Sequence, residues 1–283
     1  MILHDTLLQK IKNADIAYYD NDNPIMSDED YDNLRNEFIT HFGKKELDYI
    51  SGHIKKGLKP FKHPTNINSL DKIKFYEKEK LNKTIKKLYP VVLELKLDGL
   101  TIVAYPNGEF VTRGNGSNGE VLNNFPCEPN HSEYPIRGEA FLTQSDFEWI
   151  NEQQKKQNQP LFANARNAAA GILRRLDKSP YLDKIQFLAY DVIGYDKSEL
   201  DKLKYIEENT SFNTVSYLLP NCSSDRIIIY IEQMYQDNIN KDIPIDGIVV
   251  KSNIEYSLEK FGSTVHHPLN AFAYKAQDEA KTT

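Results

Sequence analysis

The sequence predicts an α+β protein in two parts, a small helical module over 1–62 followed by a larger domain over 63–283 built on mixed and antiparallel strands. Apolar residues recur at helical spacing in the first part, at Leu7, Ile11, Ala14 and Tyr18 and again at Tyr31, Leu34, Phe38 and Phe42. Beyond residue 90, short alternating runs separated by Gly, Pro and Asn turns replace that period. With 283 residues there is chain enough for one large core and a small one.

Asn23-Pro24 breaks the first helix, Ser27 is a good N-cap with Asp30 three residues on, and Gly43 ends the second helix. Asp28 and Asp32 stand one turn apart, where carboxylates commonly complement the helix dipole. Lys55 to Pro60 reads as a basic, solvated linker. His63-Pro64-Thr65 and Ser69-Leu70-Asp71 lead into the larger domain, and a Lys- and Glu-rich stretch from Tyr76 to Leu88 reads as a helix with an exposed face.

Val91 to Gly99 is the central stretch, Val-Val-Leu-Glu-Leu-Lys-Leu-Asp-Gly. Strand alternation puts Val91, Leu93, Leu95 and Leu97 on one face and Val92, Glu94, Lys96 and Asp98 on the other. Gly99 is a turn signal and Leu100 to Tyr105 a second strand, so the pair reads as a hairpin holding Lys96 near its end. Glu109 to Arg113 is a third strand leading into a glycine-bearing loop, and Arg137-Gly138-Glu139 lies in a further short strand. Thr143 caps a helix whose Phe147, Trp149 and Ile150 read as core packing. Arg166 and Arg174 fall about two helical turns apart, where guanidinium groups suit phosphate oxygens. Leu200, Leu203 and Ile206, then Ile228, Ile231 and Met234, mark two helices without evident chemistry, and Val249 and Lys251 share a strand face.

A net charge of −6 argues against a surface that wraps nucleic acid as a whole, so any such contact must be a local patch or another chain. Two cysteines cannot build a four-cysteine zinc site and suggest a reducing compartment. No basic start leads into an apolar run and no stretch is long and apolar enough for a membrane span, so a soluble cytoplasmic protein without membrane contact is expected.

An ordinary lysine, with a pKa of about 10.4, is protonated and a poor nucleophile at neutral pH, and needs burial or a nearby cation to attack carbon or phosphorus. Flanking carboxylates pull the other way, which makes dependence on a divalent metal an expectation. Lys96-Leu97-Asp98-Gly99 resembles the nucleophile motif of the covalent nucleotidyltransferases: DNA ligases, RNA ligases and mRNA capping enzymes. Arg137 to Phe141, Ala189 to Val192, Ile245 to Lys251 and Ala273 to Lys275 follow in the order of that family's remaining motifs. The run Phe162 to Gly171, with Leu173-Arg174-Arg175-Leu176-Asp177, closely resembles the NAD-dependent, bacterial-type DNA ligases.

That resemblance implies an ATP-grasp-like ligase nucleotidyltransferase fold and an adenylation unit in which Lys96 attacks the α-phosphate of NAD, forming lysyl-AMP and releasing nicotinamide mononucleotide. Lys251 and Lys275, with magnesium, would stabilise the phosphate oxygens; Asp98 and Asp246 would orient the lysine or hold the metal, Asp246 being the metal candidate. Glu139 would take the ribose hydroxyls, Tyr190 and Val249 would sandwich adenine, and Glu94 would read its amino group. Ser69, Leu70 and Arg113 would contact the dinucleotide, and Arg166 and Arg174 the dinucleotide or the DNA. Nicotinamide is a cation, which carboxylates and aromatic faces suit. By resemblance the N-terminal module supplies them as Tyr18, Tyr19, Asp28, Tyr31 and Asp32.

Departures from the family pattern are Tyr19 for histidine, Asn115 and Asn118 in the glycine-bearing loop, Asn238 near a missing arginine with Lys241 close by, His266 for arginine and Asn270 for tryptophan. The chain stops soon after Lys275, without the oligonucleotide-binding barrel and other C-terminal regions of a full NAD ligase. Truncation and a split ligase with a second subunit both remain open. Nicked double-stranded DNA is the implied substrate of the complete reaction. Two alternatives stand beside this reading: an ATP- or GTP-dependent nucleotidyltransferase of RNA-ligase or capping type, and a non-catalytic nucleotide-binding subunit of a ligase complex.

Overall fold

The computed structural model describes residues 2–15, 25–26, 28–43, 47, 57–264 and 267–275. Two helices form in the first part, α1 (Ile2–Asp15) and α2 (Asp28–Phe42). Leu7, Ile11 and Phe38 are buried together with Leu47, and Tyr31 and Leu34 pack around them. The 3.6-residue period thus becomes a small core. Phe42, one step past the buried stripe, is exposed, and Gly43 at φ +82° closes the helix as a left-handed cap. Tyr18, Tyr19, Ser27 and His266 lie outside the described residues, as do the side chains of Asp28 and Asp32.

Twelve strands follow among the described residues: β1 (Lys59–Lys62), β2 (Asp71–Lys74), β3 (Val91–Leu97), β4 (Leu100–Ala104), β5 (Phe110–Thr112), β6 (Asn118–Val121), β7 (Ile136–Phe141), β8 (Gln186–Val192), β9 (Asn213–Thr214), β10 (Tyr217–Leu218), β11 (Ile245–Ser252) and β12 (Ala271–Lys275). The helices among them are α3 (Lys78–Leu88), α4 (Gln144–Lys156), α5 (Ala165–Leu173), α6 (Glu199–Asn209), α7 (Ile227–Gln236) and α8 (Ser257–Phe261). The strands make a 7-stranded sheet in the order β1-β6-β5-β4-β7-β8-β9 and a 5-stranded sheet in the order β10-β3-β11-β12-β2. Pairing is antiparallel except for β8–β9 and β12–β2, so both sheets are mixed, as the α+β reading requires.

Leu93, Leu95, Ile248, Val250 and Phe272 of the smaller sheet cluster with Ile85 of α3 and Ile231 of α7, and the same cluster reaches Phe141, Leu188 and Tyr190 of the larger sheet. On the far face of the larger sheet, Ile102, Ala140 and Ala189 meet Ile150 of α4 and Ala168, Ala169 and Ile172 of α5. Ala140 and Phe141 are neighbours in sequence and face opposite layers, as the two-residue strand period demands.

Four sequence expectations change. β3 and β4 do not form a hairpin; they lie in different sheets. The chain crosses at Asp98-Gly99, where a Cβ on Gly99 would fall 2.4 Å from the Ala140 carbonyl oxygen. Only glycine lets the backbone pass so close to β7, and Lys96 therefore sits at the seam between sheets. Lys59-Pro60, expected in a loop, begins β1, which pairs with β6, so hydrogen bonding into the larger sheet starts ahead of residue 63. α3 starts at Lys78 and is amphipathic, burying Leu81, Ile85 and Leu88 under its exposed lysines. Trp149 is exposed, with the Lys184 ammonium 5.2 Å from its ring centroid; Ile150 fills the core position. Among the described residues no helix is long and apolar enough to cross a membrane.

Candidate active site

Three strands of the smaller sheet converge on one carboxylate. β11 carries a register shift between Ile245 and Gly247 opposite β3, a bulge that re-aims Asp246. Its Oδ1 and Oδ2 lie 2.7 and 2.8 Å from Lys96 Nζ on β3, and Oδ2 accepts from Lys275 Nζ on β12 at 2.5 Å. All three side chains are half-buried. Burial by itself would raise the Asp246 pKa, but the Lys96 and Lys275 ammonium charges outweigh it and hold the carboxyl below its ordinary value. Asp246 therefore stays ionised and fixes Lys96 in place.

Across the seam, Glu139 on β7 accepts from Thr101 Oγ1 at 3.0 Å and from the Tyr190 hydroxyl at 3.3 Å. Burial raises its pKa, and the nearby Arg166 and Lys96 charges oppose that rise. Arg166 sits in the first turn of α5, behind the Asn164 cap that accepts from Asn167 N at 2.7 Å, and its Nη1 lies 3.4 Å from Asp98 Oδ1. Lys96, Asp246, Lys275, Asp98, Arg166 and Glu139 thus gather where the two sheets meet.

Glu94 and Lys251 lie deeper, on β3 and β11. Lys251 Nζ is 2.9 Å from Glu94 Oε2 and donates to the Tyr190 carbonyl at 2.6 Å. Burial pushes Glu94 up to about 7, against the pull of Lys251, while Glu199 adds to the rise. Burial would lower the Lys251 pKa, but Glu94, Glu199 and Asp191 reverse this and raise it, so its ammonium is charged. The Tyr190 hydroxyl is pushed up to about 12, chiefly by burial, and stays protonated. Val249, buried, stands opposite Glu94 in the β11–β3 register.

The segment before β2 is held by two arginines. Arg113 Nε donates to the Ile67 carbonyl at 2.8 Å and Arg137 Nη2 to the Asn68 carbonyl at 3.1 Å, which presents Ser69 and Leu70 half-buried beside them. His267 Nδ1 lies 3.2 Å from Ser69 Oγ and 3.0 Å from its carbonyl, so this histidine anchors the same segment. In the glycine-bearing loop, the Asn115 side-chain oxygen accepts from Ser117 N and Asn118 N. An amide oxygen thereby does what an aspartate would do in closing that turn. Tyr31 on α2 accepts from Arg35 Nη1 at 3.2 Å.

Arg174, expected at phosphate, is engaged within the fold. Its Nε and Nη2 donate to Glu120 Oε2 and Oε1 at 2.6 and 2.9 Å, and both side chains are buried. Glu120 points inward from β6 and needs a partner for its charge, so Arg174 ties the end of α5 to that strand. Arg174→Ala is expected to cost about 3–5 kcal/mol, because it strands a buried carboxylate. Urea unfolding of the chain measures this; a loss under 1 kcal/mol would contradict the assignment.

Among the departures, Asn270 is buried and donates to Ser257 Oγ at 2.9 Å, and exposed Lys241 donates to Asn238 Oδ1 at 3.0 Å. The structure also adds residues that the sequence did not single out: Arg137, Asp191, Glu199 and Lys202 form buried ion pairs or contacts around Lys251 and Tyr190. Glu199 was invisible because a carboxylate in a first helical turn looks like dipole complementation. Among the described residues no group of three or more His, Cys, Asp or Glu could hold a metal by itself.

The chain is 33% identical over 312 residues to a DNA ligase of Clostridioides difficile (strain 630), covering 98% of this chain and 45% of that protein. It is 32% identical to a DNA ligase of Coprothermobacter proteolyticus, covering 99% of this chain and 47% of that one. The chain thus spans about half the length of the curated relatives it matches. A solved structure titled as an analysis of Lig E DNA ligases aligns with a TM-score of 0.43 and 17% identity, over 74% of this chain and 69% of that one. The family described as the NAD-dependent DNA ligase adenylation domain matches residues 55–279, and the chain belongs to that family.

Proposed function

We propose that this chain carries out the adenylation step of NAD-dependent DNA ligation. The observation that supports it is the Lys96–Asp246–Lys275 cluster, with Glu139 and Arg166 across the seam. Lys96 Nζ, once it has given up a proton, forms a P–N bond to the α-phosphorus of NAD. The P–O bond to nicotinamide mononucleotide breaks, and that group leaves with the bonding electrons. Asp246 holds the lysine on line, and Lys275 and Lys251, with Arg166, meet the charge that builds on the phosphate oxygens. Tyr190 and Val249 flank the adenine, Glu94 accepts from its amino group, and Glu139 takes the ribose hydroxyls. Asp98 keeps Arg166 in position.

Magnesium fits this set. Asp246 Oδ1 is buried and meets Lys96 Nζ at 2.7 Å as an ion pair, so once Lys96 has given up its proton that oxygen keeps a lone pair for a cation also bound by phosphate oxygens. Bound there, the ion would supply charge neutralisation at the phosphate. Tyr18, Tyr19, Asp28, Tyr31 and Asp32 are proposed to grip the nicotinamide mononucleotide half. Sealing nicked DNA needs regions beyond those this chain shares with its relatives, or a second subunit, and we propose nicked duplex DNA as the final acceptor.

The test is intact mass after incubation with magnesium and either NAD or ATP, on protein first stripped of bound AMP. One added adenylyl group with NAD and none with ATP is the expected result. Labelling by ATP instead would replace the reading with a triphosphate-dependent one. No labelling by either would favour a non-catalytic subunit.

A pH dependence follows from Glu94. With its pKa near 7, the carboxylate is mostly neutral at pH 6 and mostly ionised at pH 8. An ionised acceptor binds the adenine amino group better, so NAD affinity should rise roughly tenfold across that range, in step with the ionised fraction. Calorimetric titration of the Lys96→Ala chain measures this without turnover. In a Glu94→Gln background the slope should vanish.

A further inference from the structure

Glu199 is the first residue of α6, yet it is 2% exposed. Ser198 caps the helix by accepting from Asp201 N, so Glu199 is not needed as the cap. Its Oε1 accepts from Lys202 Nζ at 2.9 Å, and Lys202 Nζ also reaches Asp191 Oδ1 at 3.0 Å. Its Oε2 is buried, makes no hydrogen bond among the described residues, and lies 3.4 Å from Lys251 Nζ. Glu94 Oε1, on the other side of the same ammonium, is likewise buried without a hydrogen bond. An alternating line of charge thus runs Asp191, Lys202, Glu199, Lys251, Glu94 through the interior.

We infer that Glu199 is a positioning residue for Lys251, holding its ammonium charged and in place when the substrate's adenine amino group takes over Glu94. The inference rests on the adenylation reading above. In the free chain Lys251 has two close partners, the Glu94 carboxylate and the Tyr190 carbonyl. Once Glu94 Oε1 accepts from the base, its charge is shared, and that carboxylate with one carbonyl holds the buried ammonium less firmly. Glu199 stands ready at 3.4 Å, and Lys202 keeps Glu199 aimed without displacing it. The groups around Lys251 are Glu94 from β3, Tyr190 and Asp191 from β8, Glu199 and Lys202 from α6, and Arg137 from β7 beside the Tyr190 ring. Glu199 is the one in contact with Lys251 that the nucleotide itself has no assigned need to touch.

The experiment is the single-turnover adenylation rate of the full chain with NAD and magnesium, from pH 6 to pH 10, for wild type and Glu199→Gln. Removing the Glu199 charge lets Lys251 deprotonate earlier and lets Glu94 ionise earlier. Both limbs of the variant's profile should therefore move to lower pH by about one unit. Near pH 6.5 the rate at subsaturating NAD should rise about threefold over wild type as more Glu94 is ionised, and the alkaline fall should begin at a lower pH than in wild type. A uniform loss at every pH, or a profile superimposable on wild type, would overturn the inference. Should Glu199→Gln fail to fold by thermal melting, Glu199→Asp carries the test. It keeps the charge but withdraws it by one methylene, so a smaller shift of the alkaline limb in the same direction is expected, and no shift overturns the inference. Failure of the wild-type chain to gain an adenylyl group would instead sink the underlying reading, so the two failures are distinguishable.

Discussion

Lys96→Ala should gain no adenylyl mass from NAD under conditions that label the wild-type chain fully, a loss of at least about 10⁴-fold in rate, as expected when a covalent nucleophile is removed. The fold should survive. Asp246 still pairs with Lys275, and Lys96 is half-buried at the edge of the seam rather than packed in the core. Lys96→Arg sharpens the result. A guanidinium can keep the ion pair with Asp246 but cannot serve as a nucleophile at accessible pH, so this variant should melt near wild type and remain unlabelled. Labelling of either variant would place the nucleophile elsewhere. Mass spectrometry beside thermal melting reads both outcomes in one experiment.

Gly247→Ala should be the most damaging substitution of a residue that touches no substrate. A Cβ at that position would fall 2.1 Å from the Tyr274 carbonyl oxygen, and φ there is +156°. The obstacle is backbone in a paired strand, so no side-chain rotation relieves it. Either β12 separates from β11 or the bulge that aims Asp246 is lost. A stability loss of about 3 kcal/mol is expected from the overpacking. Adenylation by the folded fraction should also drop about 100-fold, because Lys275 and Asp246 leave their places by an ångström or so. Urea midpoints and single-turnover labelling, both at 15 °C, separate the two effects. Wild-type behaviour in both would mean that the close approach of β11 and β12 is not required.

Much of this architecture was legible in the sequence, for reasons that differ between elements. The faces of β3 followed from alternation alone: Leu93, Leu95 and Leu97 are buried in one layer, while Glu94 and Lys96 face the site. The end of α2 followed from one glycine, and the α4 cap from Thr143, whose side chain accepts from Asp146 N. The seam was misread because a strand, an Asp-Gly pair and a second strand are also what a hairpin looks like. What decides between them is the approach of Gly99 to Ala140, a contact some 40 residues away in the chain. Trp149 was misplaced by one helical position, since Ile150 rather than its neighbour faces the core. Arg174 was expected at phosphate from its place in the family run; its buried pairing with Glu120 depends on that carboxylate pointing inward, which no local pattern reveals. Gathering Lys96, Asp246 and Lys275 came from resemblance; burial and the bulge explain how the fold achieves it.

The two-sheet arrangement has a bearing on how reactivity is tuned. Lys96, Asp246, Lys275, Glu94, Val249 and Lys251 all belong to the smaller sheet, whereas Glu139 and Tyr190 belong to the larger, and Arg166 rides on the helix packed behind it. The nucleotide is thus proposed to sit between two slabs that the described chain joins directly at Asp98-Gly99. Between the slabs, Phe141, fully buried, shares the strand face of Glu139 and Leu188 shares that of Tyr190, and both join the smaller sheet's apolar cluster. These side chains act as spacers, and the alignment of the attacking lysine with the sugar-binding wall is recorded in their volume.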